Sequence, residues 1–149
     1  MARQARVEER VGYVLKRVQQ ALRAAMDEAL RRHGLTTAQY AALSALEEAP
    51  GLSGAELARR CFVTPQTMNE IVARLEADGL VERRRGDDAR VLRAYLTAAG
   101  LDLVGACHQA VGVIEERMVS GLNPSERRQL LDGLRRCADA LEQASTPMI

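Results

Sequence analysis

The sequence predicts a mainly α-helical fold interrupted by one small β-hairpin. Three observations lead there. Apolar residues recur at helical spacing towards both ends of the 149-residue chain. Two short segments that favour strands, "LVERRR" and "VLRAYLT", flank the turn sequence "GDDA". Aromatic residues are only 3% of the chain, so Leu, Val, Ile, Ala and Met must fill the interior, which suits packed helices. The length fits one domain, 1–149, with a core of its own.

The elements follow in order. Val7, Val11, Val14, Leu15, Val18, Leu22, Met26, Ala29 and Leu30 form the stripe of a long amphipathic helix, which Gly34 can end. Thr36 or Thr37 can cap a second helix, "AQYAALSALEEA". "PGLS" breaks it, and Ser53 can cap a third, "GAELARRC". Thr64 opens a fourth, with Pro65 in the first turn, where a missing N–H costs nothing. That helix carries Met68, Ile71, Val72 and Leu75 on one face, and Gly79 stops it. After the hairpin, helical spacing resumes in "TAAGLDLVGACHQAVGVIEERMVSGL". The last helix opens at Asn123 and Pro124 and aligns Leu130, Leu134, Cys137 and Leu141; the tail "ASTPMI" is expected to fray. A two-stranded hairpin is marginal alone and must lean on the helices. The predicted architecture is therefore a winged helix-turn-helix over 36–98, flanked by long N- and C-terminal dimerisation helices over 5–33 and 99–144.

Composition excludes several classes. With 21 basic and 20 acidic residues the net charge is +1, so attraction to nucleic acid must come from a local patch. Lys16 is the only lysine, which leaves arginine wherever a phosphate needs a fork-shaped donor. Cys61, Cys107 and Cys137 are odd in number and far apart, which argues against a disulfide scaffold or a zinc ribbon. No apolar run reaches the ~18 residues a membrane span needs, and the charged N-terminus has no apolar signal region. The expected setting is a reducing cytoplasm. No nucleophile elbow, Walker A or H-E-x-x-H motif is present, so no enzyme, cofactor or metal site is expected; His33 and His108 have no metal-ligand spacing.

In "ELARRCFVTPQTMNEIVARL", Leu57 and Ala58 face inward, Cys61 and Val63 bracket a tight turn, and Met68, Ile71 and Leu75 anchor the next helix. This is the packing pattern of a DNA-binding helix-turn-helix, although Phe62 stands where many such turns carry glycine. Exposed near the start of the second helix would be Gln66, Thr67, Asn69 and Glu70. Gln and Asn can pair bidentately with adenine, and Thr can touch a thymine methyl or a phosphate. Arg74, two turns on, can reach the backbone.

The hairpin gives this reading its weight. Arg83, Arg84 and Arg85 are candidate DNA contacts of the wing, and strand alternation places Arg83 and Arg85 on one face and Arg84 on the other. Gly86 begins the turn, and Arg90 stands on the returning side. A hairpin tip entering the minor groove should present an arginine, because that groove has enhanced negative potential. Asp88 can hold the Arg90 guanidinium in a bidentate pair that aims it.

"LEADGLVERRRGDDARVLRAYLTAAG" resembles the wing of the multiple-antibiotic-resistance-regulator (MarR) family. The resemblance is carried by Leu75 and Glu76, then Gly79, Leu80 and Val81, then Asp88 and Arg90, then Leu96, Thr97 and Gly100. It implies a homodimeric transcription factor, usually a repressor, whose first, fifth and sixth helices interlock. Its two recognition helices would enter successive major grooves of a pseudo-palindromic double-stranded operator, with the wings over the flanking minor grooves. Thr64, Pro65, Gln66, Thr67 and Asn69 fall at the start of the recognition helix, and Arg90 with Asp88 at the wing. Apolar stripes on the terminal helices also favour a dimer, with Val7, Val11, Val14, Leu130, Leu134 and Leu141 at the interface. The resemblance further implies a small, often anionic aromatic effector, for which Arg17, His33, Tyr40 and His108 are candidate pocket residues. Two alternatives stay open: a winged-helix protein-interaction module without DNA binding, and a cysteine redox sensor in which Cys107, beside His108, is the suggestive thiol.

Overall fold

The structure, a computed structural model, describes residues 6–144. Residue 5 at the expected helix start and the tail 145–149 lie outside them. The chain divides into two compact units, between Ile114 and Glu115.

In the first unit, a 3-10 turn at Val7–Glu9 precedes α1 (Val11–Arg31), so the expected helix is broken near its start. Arg10 is extended there, and neither Arg6 nor Arg10 supplies a side-chain cap. Gly34 takes a φ of 74° after α1, the left-handed conformation expected of it. Thr36 and Gln39 form a reciprocal capping box that starts α2 (Thr37–Glu48). Ser53 and Glu56 repeat the device for α3 (Gly54–Arg60). Thr64 caps α4 (Pro65–Ala77) through the Thr67 N–H at 3.1 Å.

The wing is larger than a hairpin. Strand β1 (Leu52–Ser53) adds to β2 (Val81–Arg85) and β3 (Leu92–Leu96) in an antiparallel sheet of order β1-β3-β2. Leu52 lies opposite Ala94, and Val81 opposite Leu96. Both main strands are shorter than expected: Leu80, Val91 and Thr97 lie outside them. A third strand gives the hairpin the support that two strands lack.

One core joins these pieces. Leu30, Leu43 and Leu46, with Leu57, Met68 and Leu75, are almost wholly buried, beside Val81, Ala94, Val104 and Cys107. Only the end of the α1 stripe joins this core: Leu30 is buried in it and Met26 packs against it, while Val11, Val14, Leu15 and Val18 are exposed. Thr37 donates to Asp27, tying α2 to α1.

Helix α5 (Ala98–Met118) begins where the wing ends. Thr97 caps it, accepting from the Gly100 N–H at 3.1 Å and donating to the Gly79 carbonyl at 2.7 Å. In the second unit, Asn123 and Glu126 form a capping box for α6 (Pro124–Ala144). Arg127 there donates to Glu116 at 2.6 Å and to the Leu122 carbonyl at 3.1 Å. Leu130, Leu134 and Leu141 of α6 are exposed. Cys137, aligned with them on the helix, is exposed as well.

Candidate nucleic-acid interface

Helix α4 is polar outside and apolar inside, as the 3.6-residue period requires. Met68, Val72 and Leu75 are buried, while Thr64, Pro65, Gln66, Thr67, Asn69, Glu70 and Arg74 are exposed. Several of the exposed side chains are already engaged. Thr64 donates its hydroxyl to Thr67 at 2.9 Å, and Arg74 pairs with Asp78 at 3.3 Å. Gln66 and Glu70 stand at the helix start with their side chains in solvent.

The preceding turn contains the one non-glycine residue of positive φ among those described. Phe62 has φ 58°, and its side chain is 93% exposed. The residue that departs from the glycine habit of such turns therefore still adopts the glycine conformation.

The wing arginines have three different environments. Arg83 donates to Asn69 Oδ1 at 3.0 Å and to Glu76 Oε1 at 3.3 Å, so it faces α4. Arg84 pairs with Glu82 at 3.1 Å and lies 4.8 Å over the Tyr95 ring. That pair holds Glu82 below the usual carboxylate range and pushes Arg84 up. Arg85 donates to the Ala89 carbonyl at 3.4 Å. At the tip, Arg90 is 93% exposed. The bidentate Asp88–Arg90 pair expected from the sequence is not formed. One oxygen, Oδ1, accepts both the Arg90 backbone N–H at 3.1 Å and its Nε at 3.4 Å. Asp88 therefore shapes the turn and restrains the guanidinium at its root, leaving both terminal nitrogens free for a ligand.

Sequence reasoning overlooked Arg93. It donates to the Gly51 carbonyl at 2.9 Å and lies 4.0 Å from Glu56, linking β3 to the start of α3. Glu56 is held below the usual carboxylate range, first by the Ser53 backbone N–H, with smaller help from the Ser53 hydroxyl, Arg93 and Arg59. Between α3, α4 and the wing runs an open groove of about 400 Å³, lined by residues that include Ser53, Leu57, Asn69, Arg83, Arg90 and Leu92.

This combination of a polar helix start and a basic hairpin has known counterparts. The MarR family sequence pattern matches residues 33–90. The HTH-type transcriptional repressor Rv2887 of Mycobacterium tuberculosis is 38% identical over 120 residues, which cover 80% of this chain and 86% of that protein. The chain belongs to the MarR family. The solved structure of the M. tuberculosis MarR family protein Rv2887 with DNA is 34% identical, has a TM-score of 0.72, and covers 86% of this chain and 97% of its own. Rv2887 with salicylic acid is 36% identical, with a TM-score of 0.72 and coverage of 92% and 99%.

The MarR signature now has physical reasons in this chain. Gly79 has φ 74° and turns α4 into the wing. Thr97 fastens the end of the wing to Gly79, and Gly100 lets α5 approach the Leu80 backbone. Of the four candidate effector residues, the structure brings two together. The Tyr40 hydroxyl and His108 Nδ1 are 2.7 Å apart, with their rings edge to face at 5.5 Å. His108 Nε2 lies 2.9 Å from Glu47 Oε1. The neutral tautomer that satisfies all three groups carries its proton on Nε2, donates it to Glu47 and accepts from Tyr40. Glu47 escaped the sequence reading, although it lies two turns from Tyr40 on the same face of α2. Arg17, on the exposed length of α1, and His33, half-buried after it, stand outside this relay.

Cys107 is fully buried, and burial pushes its thiol up; Cys61 is raised for the same reason, against the opposing charge of Arg60. Neither has the depressed pKa of a reactive thiolate. Among the described residues no group of three or more His, Cys, Asp or Glu side chains could hold a metal ion, and no helix is long and apolar enough to cross a membrane.

Proposed function

We propose that this MarR protein is a homodimeric transcriptional repressor that binds a pseudo-palindromic operator and leaves it when a small aromatic acid binds. Residues 36–98 form the DNA-binding part, and the terminal segments over 5–33 and 99–144 make the dimer through Val7, Val11, Val14, Leu130, Leu134 and Leu141. The protein acts in the cytoplasm, on the nucleoid when bound, and has no catalytic role.

The observation that carries this reading is the outward face of α4. Gln66, Thr67, Asn69 and Glu70 are exposed over a buried apolar face, next to a wing whose tip arginine is 93% exposed. Phosphate contacts from Arg74, Arg84, Arg85 and Arg90 would fix the register, and the α4 side chains would read base edges. The similarity to Rv2887, known with DNA and with salicylic acid, supports both halves of the reading. The Tyr40–His108–Glu47 relay supports an effector site on the side of α2 that meets α5.

A gel-shift titration with the gene's own upstream region tests the proposal. A shift at low salt, reversed by salicylate, is expected, with binding that falls steeply as salt rises. A folded dimer that shifts no upstream fragment at low salt would overturn the DNA-binding reading.

A further inference from the structure

Arg83 is held more deeply than its neighbours on the wing. Its side chain is 21% exposed, against 58% for Arg84 and 93% for Arg90. Glu76 grips it with both oxygens: Oε1 accepts Nη2 at 3.3 Å, and Oε2 accepts the Arg83 backbone N–H at 3.2 Å. Nη1 donates to Asn69 Oδ1 at 3.0 Å. Asn69 and Glu76 are two turns apart on α4, so one guanidinium spans the face that meets β2.

A guanidinium has donors only, so the Asn69 atom facing it must be the carbonyl oxygen. The amide NH2 is the end left over, at the exposed start of the helix. A free asparagine can turn either end towards a base edge. Here Arg83 takes one of the two lone pairs of Oδ1 and turns that oxygen towards the wing, whereas the bidentate contact with adenine needs it turned to accept N6–H.

We propose, resting on the DNA-binding reading above, that Arg83 is a positioning residue for base readout and not a phosphate contact. It fixes Asn69 with its NH2 outward, so that Asn69 selects guanine O6 or thymine O4, the acceptors that stand where adenine and cytosine carry an amino group. Glu76 anchors Arg83 in that role. The seat of the wing on α4 therefore takes part in sequence selection as well as in affinity.

The test is competitive binding of full-length protein to an operator library randomised under α4, at several salt concentrations. The wild type is expected to prefer an acceptor edge at one base pair per half-site by about fivefold, the low end for a single base contact. Asn69→Ala and Arg83→Met should each erase that preference. Arg83→Met should do so with the slope of log K against log salt unchanged. If Arg83→Met or Asn69→Ala keeps the preference, the proposal fails. It fails also if Arg83→Met lowers the slope by about 0.9 per half-site, the mark of a lost phosphate contact. Glu76→Ala provides a second variant that keeps the arginine charge while removing both acceptors that anchor it. Loss of the preference there supports positioning, and retained preference with equal or tighter binding overturns it. A wild type that binds no operator at low salt sinks the DNA-binding reading itself, a result distinct from binding with unaltered preferences.

Discussion

A methyl group placed on Gly100 would sit 2.2 Å from the carbonyl oxygen of Leu80. No side chain can relax that contact, because both partners are backbone: the first turn of α5 rests on the strand entry that follows α4. Thr97 secures the same junction from the other side, through Gly79. Gly100→Ala is therefore expected to destabilise the fold by about 1–3 kcal/mol, as overpacking does. Thermal unfolding of the purified variant measures it, and an unchanged melting temperature would contradict the close approach.

Phe62 should respond in the opposite direction. A left-handed conformation costs a non-glycine residue about 1–2 kcal/mol, and a side chain 93% exposed recovers almost none of it by burial. Phe62→Gly is expected to raise the melting temperature by a few degrees. A lower melting temperature would mean that the phenyl ring packs against something outside a single chain.

Arg90 is expected to matter for DNA and for nothing else. Arg90→Ala should weaken operator binding and reduce the salt slope by about one for each wing that loses a cation contact. Its ion pair with Asp88 is too exposed to contribute measurably to stability. Size-exclusion chromatography should therefore show an unaltered dimer and thermal melting an unaltered midpoint. Unchanged DNA affinity would remove the wing tip from the interface.

Glu56 gives the fold a measurable acid limb. Its pKa is lowered in the folded state, chiefly by the Ser53 N–H. A depressed carboxylate contributes stability that is present above its ordinary value of 4.5 and lost as pH falls through the lower, folded value. Glu56→Gln keeps a side-chain acceptor for the capping box but removes the proton linkage. The variant should lose less stability than the wild type as pH drops below 4.5, in urea titrations at successive pH values. Parallel losses would assign the acid sensitivity elsewhere.

The thiols should be silent in the native state where they are buried. Cys107 is fully buried and its thiol is pushed up by that burial. Maleimide should modify it only on unfolding, as mass spectrometry after a timed quench would show. Rapid native labelling of Cys107 would revive the redox-sensor alternative.

Much of this was legible in the sequence because caps and turns are local. Ser53 and Asn123 were readable as helix starts because each acts within three residues, on Glu56 and Glu126, although the reciprocal bonds from those glutamates were not foreseen. The fourth helix, its buried face and its exposed polar start follow from the same short-range periodicity. Contacts set by tertiary register stayed hidden. Strand β1 has two residues, too few to show alternation, and exists because Leu52 meets Ala94 across a gap of some forty positions. Glu47 takes its role from His108, 61 residues away. The three consecutive arginines look alike in sequence, and only the seat of β2 against α4 gives Arg83 to Asn69 and leaves Arg84 over Tyr95.

The bare apolar side of α1 has a consequence for the life of the protein. Val11 is 73% exposed and Val7 58%, and Leu141 at the far end of α6 is 73% exposed. In the proposed homodimer these residues are covered only while two copies stay together, so mass action sets how well folded the protein is. Dilution towards separate chains would expose the terminal helices to proteases. The weakest subunit affinity the regulator can tolerate is then fixed by its own copy number, since the terminal helices stay covered only while its concentration exceeds the dimer dissociation constant.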